Sequence, residues 1–257
     1  MKTTFKTWSI LALFILSIGT ISCSDDPEPE MPTIVNVPDT NLATQIRLAL
    51  DLEANAQITS EDMLRLEELT IDGGSDFSGS ISEIADLTGL EYAENLTYLH
   101  FGSTKVSDLT PIKDLKKVEY LRMNNTDVTD LSPVSEYTTL TYFNANTARG
   151  ITDISPLSKN TGLKEIILRE VPMGNAGLNT IRNFTTLYRI NMRNTGVTNV
   201  TILAEMMAAG ALLDSTPGAA ENGGATLDLR QLTVEDWSPI RPYLDQISNI
   251  EGVPAED

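Results

Sequence analysis

Between residues 96 and 162 the apolar positions of the chain return with a long, fixed period. LTYLHFGSTKVSDLTPIKDLKK (96–117) is followed by VEYLRMNNTDVTDLSPVSEYTT (118–139) and LTYFNANTARGITDISPLSKNTG (140–162). Aligned, the recurrent apolar positions are the first, fourth, sixth, eleventh, fourteenth, seventeenth and twentieth. The alternation at the start of each window (Tyr98-Leu99-His100-Phe101) predicts a short strand with one face on a core and the other outward. Ser or Thr followed by Pro (Thr110-Pro111, Ser132-Pro133, Ser155-Pro156 and later Ser238-Pro239) predicts an N-cap and the first residue of a short helix. One such turn cannot bury its own apolar face. Leu99 and Phe101 are therefore expected to pack on Leu121 and Met123 of the next turn, and those on Phe143 and Ala145.

Fainter copies flank these three. LKEIILREVPMGNAGLNTIRNFTT (163–186) and LYRINMRNTGVTNVTILAEMM (187–207) continue the series, and ATLDLRQLTVEDWSPIRPYL (225–244) is a last copy with Trp237 in a Leu slot. Upstream, LEELTIDG (66–73) opens a strand and IADLTGLEYAEN (84–95) completes that turn after about eight extra residues. The spacing matches L-x-x-L-x-L-x-x-N-x-L, so the chain resembles bacterial leucine-rich repeats of the internalin-like kind, whose hallmark is similar to TDLSPL at 129–134. That resemblance implies an α/β repeat solenoid over 64–257 with about seven turns. It would be a leucine-rich repeat horseshoe with a parallel concave sheet, short helices on the convex side and a helical N-terminal cap. The cap is placed at 37–63, where Leu42, Ile46 and Leu50 recur at helical spacing and Thr59-Ser60-Glu61-Asp62 forms a capping-box pattern. ISNIEG (247–252) is expected to close the far end. Residues 208–224 read as an insertion, a helix extension and loop on the convex side. The family's ninth-position Asn is replaced by Thr104, Thr126, Ala148, Val171 and Thr195, so the stack must be satisfied in another way.

The N-terminus follows a different pattern. MKTTFKTWSILALFILSIGTIS (1–22) carries lysines at 2 and 6 ahead of an apolar run too short to span a membrane, as in a secretory signal. The Thr20-Ile21-Ser22-Cys23 junction, with the only cysteine of the chain, resembles the lipobox of bacterial lipoproteins. That resemblance implies cleavage before Cys23 and lipidation of its sulfur. The plain alternative is an incidental thiol near an ordinary cleavage site. Acyl chains contribute about 0.8 kcal/mol per buried CH₂, so several of them anchor a soluble domain that does not itself cross the bilayer. The acidic, Pro-rich SDDPEPEMPT that follows predicts an extended tether over 23–36. It is also similar to the surface-export signal of Bacteroidetes lipoproteins, which implies the outer face of the outer membrane.

Charge narrows the partners. The formal charge is −18, and removal of the leader with Lys2 and Lys6 leaves 16 basic residues against 36 acidic, a net −20. Such a field repels phosphate backbones and argues against nucleic acid. One cysteine and one histidine argue against a disulfide framework and against a Cys or His metal cluster. The aligned Asp86, Asp108, Asp130, Asp153 and Asp236 suggest either turn capping or a calcium ladder. One carboxylate per turn gives a line, whereas calcium needs six or more converging oxygens, so capping is the expectation. No nucleophile motif, phosphate loop or cofactor motif is present, so no enzyme activity and no cofactor are expected.

The outward positions of each strand are the candidate binding surface. The third positions place Tyr98, Tyr120 and Tyr142 in register, followed by Glu165 and Arg189. The fifth positions include His100, Arg122 and Asn144, and the seventh include Asn124, Asn146, Arg169, Arg193 and Arg230. Five of the ten arginines fall on this face, which is therefore expected to be aromatic at its N-terminal half and basic at its C-terminal half. Tyr and Arg anchor interfaces. The plainer alternative is tyrosines packed as cross-strand pairs and arginines balancing nearby acids. Two functions are open: a surface-anchored module that binds a protein or mediates adhesion, as the resemblance implies, or a glycan-binding accessory with sugars on the tyrosines.

Overall fold

In a computed structural model, residues 32–72 and 81–255 are described. Eight three-residue strands form one sheet in sequence order: β1 Glu68–Thr70, β2 Tyr98–His100, β3 Tyr120–Arg122, β4 Tyr142–Asn144, β5 Glu165–Ile167, β6 Arg189–Asn191, β7 Thr226–Asp228 and β8 Asn249–Glu251. Every neighbouring pair is parallel and in register, position for position. This is an open leucine-rich repeat solenoid. β8 lies in the segment expected to close the far end.

The strands are short because each turn leaves the sheet at one fixed point. Ser103, Asn125, Thr147, Glu170, Asn194 and Gln231, the eighth residues of their turns, all take a left-handed backbone with φ of 55–61°. Hydrogen bonding nevertheless runs on past the strands: Phe101, Met123 and Ala145 donate their N–H to the carbonyls of Arg122, Asn144 and Ile167 in the next turn. The ninth-position question resolves within each turn. Thr104, Thr126 and Thr195 donate Oγ1–H to the carbonyls of Phe101, Met123 and Met192 at 2.8–2.9 Å. Where the residue is Ala148 or Val171, the backbone N–H bonds the equivalent carbonyl instead, of Ala145 or Leu168.

On the opposite side the chain returns through 3-10 helices at 90–92, 110–112, 132–134, 155–159 and 241–246 and through α3 (Gly174–Thr180) and α4 (Thr201–Ala208). The Ser and Thr residues of the Ser/Thr-Pro pairs do not act as N-caps. Thr110, Ser132 and Ser155 are the first helical residues, and the cap positions are the buried Leu109, Leu131 and Ile154. The capping oxygen comes from the aspartate two residues earlier. Asp86, Asp108, Asp130, Asp153 and Asp236 accept the N–H of Thr88, Thr110, Ser132, Ser155 and Ser238 at 2.7–2.8 Å. A side chain bonding its own backbone two residues on closes a local turn, which is the role expected for this line of carboxylates.

Between sheet and helices lies one continuous core in which Leu99, Phe101, Leu121, Met123, Phe143 and Ala145 are all fully buried. Its N-terminal end is covered by α1 (Thr40–Ala49), which buries Leu42 and Ile46, and α2 (Ser60–Leu64), which buries Met63. Thr59 and Asp62 bond each other's backbone in a capping box. The tether ends sooner than residue 36: Ile34 bridges Thr59, Val35 is buried, and its N–H donates to Ile58 at 2.8 Å. The 208–224 insertion also departs from expectation. It begins where α4 ends and runs along the start of the strands, with Leu212 bonded to Leu187 and Asp214 accepting from Ala225 and Ser248. The signal segment, Cys23 and the extra residues at 73–80 lie outside the described residues.

Candidate functional site

The outward side chains of β2, β3 and β4 form the most regular patch on the concave face. Tyr98, Tyr120 and Tyr142 stand in register and stack with ring centroids 4.0 and 4.1 Å apart at interplanar angles of 12° and 4°. Parallel strands about 4.8 Å apart repeat one rotamer, and the rings meet face to face. Each pair contributes about 0.5–1.5 kcal/mol beyond its burial. Both faces of Tyr120 are thus covered, and burial together with the flanking phenols pushes its hydroxyl well above the usual tyrosine range. What remains for a ligand is the edge of the stack, its hydroxyls and the outer faces of Tyr98 and Tyr142.

The fifth-position row is more buried than expected. His100 is 4% exposed, and burial first, then the Arg122 charge, lower its pKa against opposing effects of Asp72 and Asn124. Asn144 is 7% exposed and spends its amide internally, donating to the Tyr142 hydroxyl and accepting the N–H of Asn146. Asn144 thus spends both ends of its amide on neighbours, and the His100 ring is largely covered. Arg122 is different: it is half-buried, its Nε donates to Asn124 Oδ1 at 2.6 Å, and it forms no salt bridge with a described residue. Asn124 and Asn146 are half-buried beside it, and Asn146 Oδ1 has no partner.

The C-terminal half is not simply basic. Arg189 pairs with Glu165 at 2.8 Å, Arg169 with Glu170 at 3.1 Å, and Arg230 with both Asp228 and Glu251 at 2.6 Å. Arg193 donates to Gln231 at 2.8 Å. Burial works against ionisation of Asp228, but the Arg230 guanidinium beside it holds the carboxyl below its ordinary range. These partly exposed pairs are screened by solvent and contribute little to stability. They neutralise the field that the arginines alone would create. The acids were legible beforehand, since Glu165 and Asp228 occupy the same outward third and fifth positions as the arginines. Tyr188, at a second position, was not singled out. Its hydroxyl donates to Glu165 at 2.9 Å, and burial first and then that carboxylate push it up to about 12.

Two concavities flank these rows. A groove of about 500 Å³ lies between β5 and β8, lined by Ile167, Arg189, Asn191, Asp228, Arg230 and Asn249. A cleft of about 460 Å³ follows the loops after β2–β4, lined by Thr104, Lys105, Asn125, Asp127 and Arg149, with its cations paired to Glu83 and Glu170. Among the described residues no group of His, Cys, Asp or Glu is placed to hold a metal ion, and no helix is long and apolar enough to cross a membrane.

No protein-family model matches the chain, and no curated protein matches it either. Solved structures do. An internalin C2 (inlC2) of Listeria monocytogenes str. 4b F2365 is similar at a TM-score of 0.67 and 19% identity over 86% of this chain and 97% of that one. An internalin (inlF) of the same organism is similar at a TM-score of 0.61 and 23% identity, over 86% of this chain and 72% of that one. At these identities the likeness is one of fold. The chain has the leucine-rich repeat fold seen in the internalins.

Proposed function

We propose that the chain is a non-catalytic, surface-anchored leucine-rich repeat protein that binds a protein partner through the concave face of β2–β4. The observation that carries this reading is the stacked Tyr98–Tyr120–Tyr142 stripe running beside Arg122, a guanidinium with no described acidic partner in a chain of net charge −18. Rigid tyrosines beside an available arginine supply anchoring area at low entropic cost. Similarity of fold to internalins supports an interaction or adhesion role, since such solenoids offer an extended concave surface. The leader, Cys23 and the acidic stretch behind it support export and lipid anchoring at the outer membrane, on its outer face. Glycan stacking along the whole ladder is less favoured, because the rings cover one another.

The test is a screen of the full chain against arrays of purified surface proteins and of polysaccharides, beside the triple variant Tyr98→Ala, Tyr120→Ala, Tyr142→Ala. A circular-dichroism spectrum unchanged from wild type keeps the comparison valid, since the core residues Leu99, Leu121 and Phe143 are untouched. Protein hits lost in the variant support the reading. Protein hits that survive it place the site elsewhere, and hits confined to polysaccharides replace the partner class.

A further inference from the structure

On the concave face His100, Asn124 and Arg122 form one polar cluster. His100 is 4% exposed, and its Nε2 meets no partner at full hydrogen-bond geometry, while the Asn124 side chain beside it favours its protonation. A Cβ placed on Gly102 would lie 2.4 Å from Asn124 Oδ1 and 2.8 Å from His100 Nε2, so both atoms converge over this glycine. Asn124 Oδ1 also accepts from Arg122 Nε at 2.6 Å. The guanidinium in turn has two terminal nitrogens and no carboxylate among the described residues, whereas Arg169, Arg189 and Arg230 on the same face each have one.

We propose that Arg122 anchors a glutamate or aspartate carboxylate of the protein partner, and that the bound carboxylate is felt by His100 through the offset of the neighbouring guanidinium charge. The terminal nitrogens of Arg122 are available for the carboxylate while its Nε keeps Asn124 Oδ1, an oxygen with lone pairs for both Arg122 and His100. A carboxylate on a guanidinium makes charge-assisted bonds stronger than neutral ones. The proposal deepens the concave-face reading and rests on it.

The charged and titratable groups around His100 fix the sign of the pH effect. Arg122 on β3 disfavours the imidazolium, Asp72 in the turn that begins with β1 favours it, and Tyr98 lies on its own strand. An arriving carboxylate offsets the Arg122 charge, which favours the protonated ring. Binding must therefore raise the pKa of His100, and affinity must rise as pH falls through its titration.

His100 is the only histidine of the chain, so its imidazole signals report the site without assignment. The experiment is a nuclear magnetic resonance titration of the full chain with N-acetyl-glutamate α-amide, and with N-acetyl-glutamine α-amide as the neutral control. The glutamate probe should move the His100 signals saturably and shift their titration midpoint to higher pH, and the glutamine probe should not. Arg122→Gln should weaken the response about tenfold. Asn124→Asp, which places a carboxylate beside Arg122 permanently, should raise the midpoint without probe and abolish the response. A glutamate probe no more effective than glutamine, or an undiminished response in folded Arg122→Gln, overturns the proposal. Because the probe is not the partner, a silent probe with array hits still lost in the triple tyrosine variant removes the Arg122 anchor alone. A responding probe with hits that survive that variant removes the concave-face reading alone.

Discussion

At the scale of single residues, the solenoid tolerates few polar intrusions into its core, and Asn160 is the plainest. It fills the slot that Leu115, Tyr137 and Phe184 fill in neighbouring turns. The residue is fully buried, and neither atom of its amide has a partner. Tyr137 shows the alternative, since its buried hydroxyl donates to the Ile112 carbonyl at 2.5 Å. An unpaired amide costs more than it returns, so Asn160→Leu should raise stability by about 1–2 kcal/mol. Urea unfolding monitored by circular dichroism measures this as a higher midpoint at unchanged slope. A lower midpoint would mean that leucine does not fit the slot or that the amide is satisfied.

At the scale of the element, five turns carry an aspartate that bonds the N–H two residues on as the chain starts its return. The side-chain hydroxyl first and then the backbone N–H of Thr110 and Ser132 hold Asp108 and Asp130 below 3.8, and for Asp236 the backbone N–H of Ser238 is the larger influence. A carboxylate whose folded pKa is depressed binds fewer protons in the native state. Its stabilisation is therefore present above the unfolded value and is lost as pH falls through the folded one. The melting temperature should drop on the acid side of about pH 4, and the drop should shrink in the Asp108→Ala, Asp130→Ala, Asp236→Ala variant. Equal acid sensitivity in the two proteins would assign the loss to other groups. The aspartates, the strand phase and the cap helices were legible because each is a local pattern: a period, a capping box, a carboxylate two residues before an N–H. Two features were not. Which acid each arginine meets depends on rotamers, so Arg230 turns to Asp228 two residues before it in its own turn while Arg189 crosses to Glu165 on the preceding strand. The burial of His100 and Asn144 arises where neighbouring side chains cover the sheet floor, and an alternation of faces does not report it.

At the scale of the whole molecule, each turn from β1 to β8 touches its neighbours and the ends are covered by different means. At the N-terminal end α1 and α2 cover core residues that are fully buried. At the other end β8 and the 241–246 helix leave Trp237, Tyr243, Leu244 and Ile250 only partly buried. The concave face carries the tyrosine stack, with Arg122 beside it and without a salt-bridge partner among the described residues. The convex face carries exposed charges such as Lys113, at the end of the 110–112 helix. The decisive measurement compares the affinity of wild type, Arg122→Glu and Lys113→Glu for the first protein ligand found, by calorimetry on the full chains. Arg122→Glu is expected to weaken binding about a hundredfold or more, as reversal of an anchoring charge does, with Lys113→Glu within about twofold of wild type. Loss in Lys113→Glu with full affinity in Arg122→Glu would place the binding surface on the convex side and contradict the account.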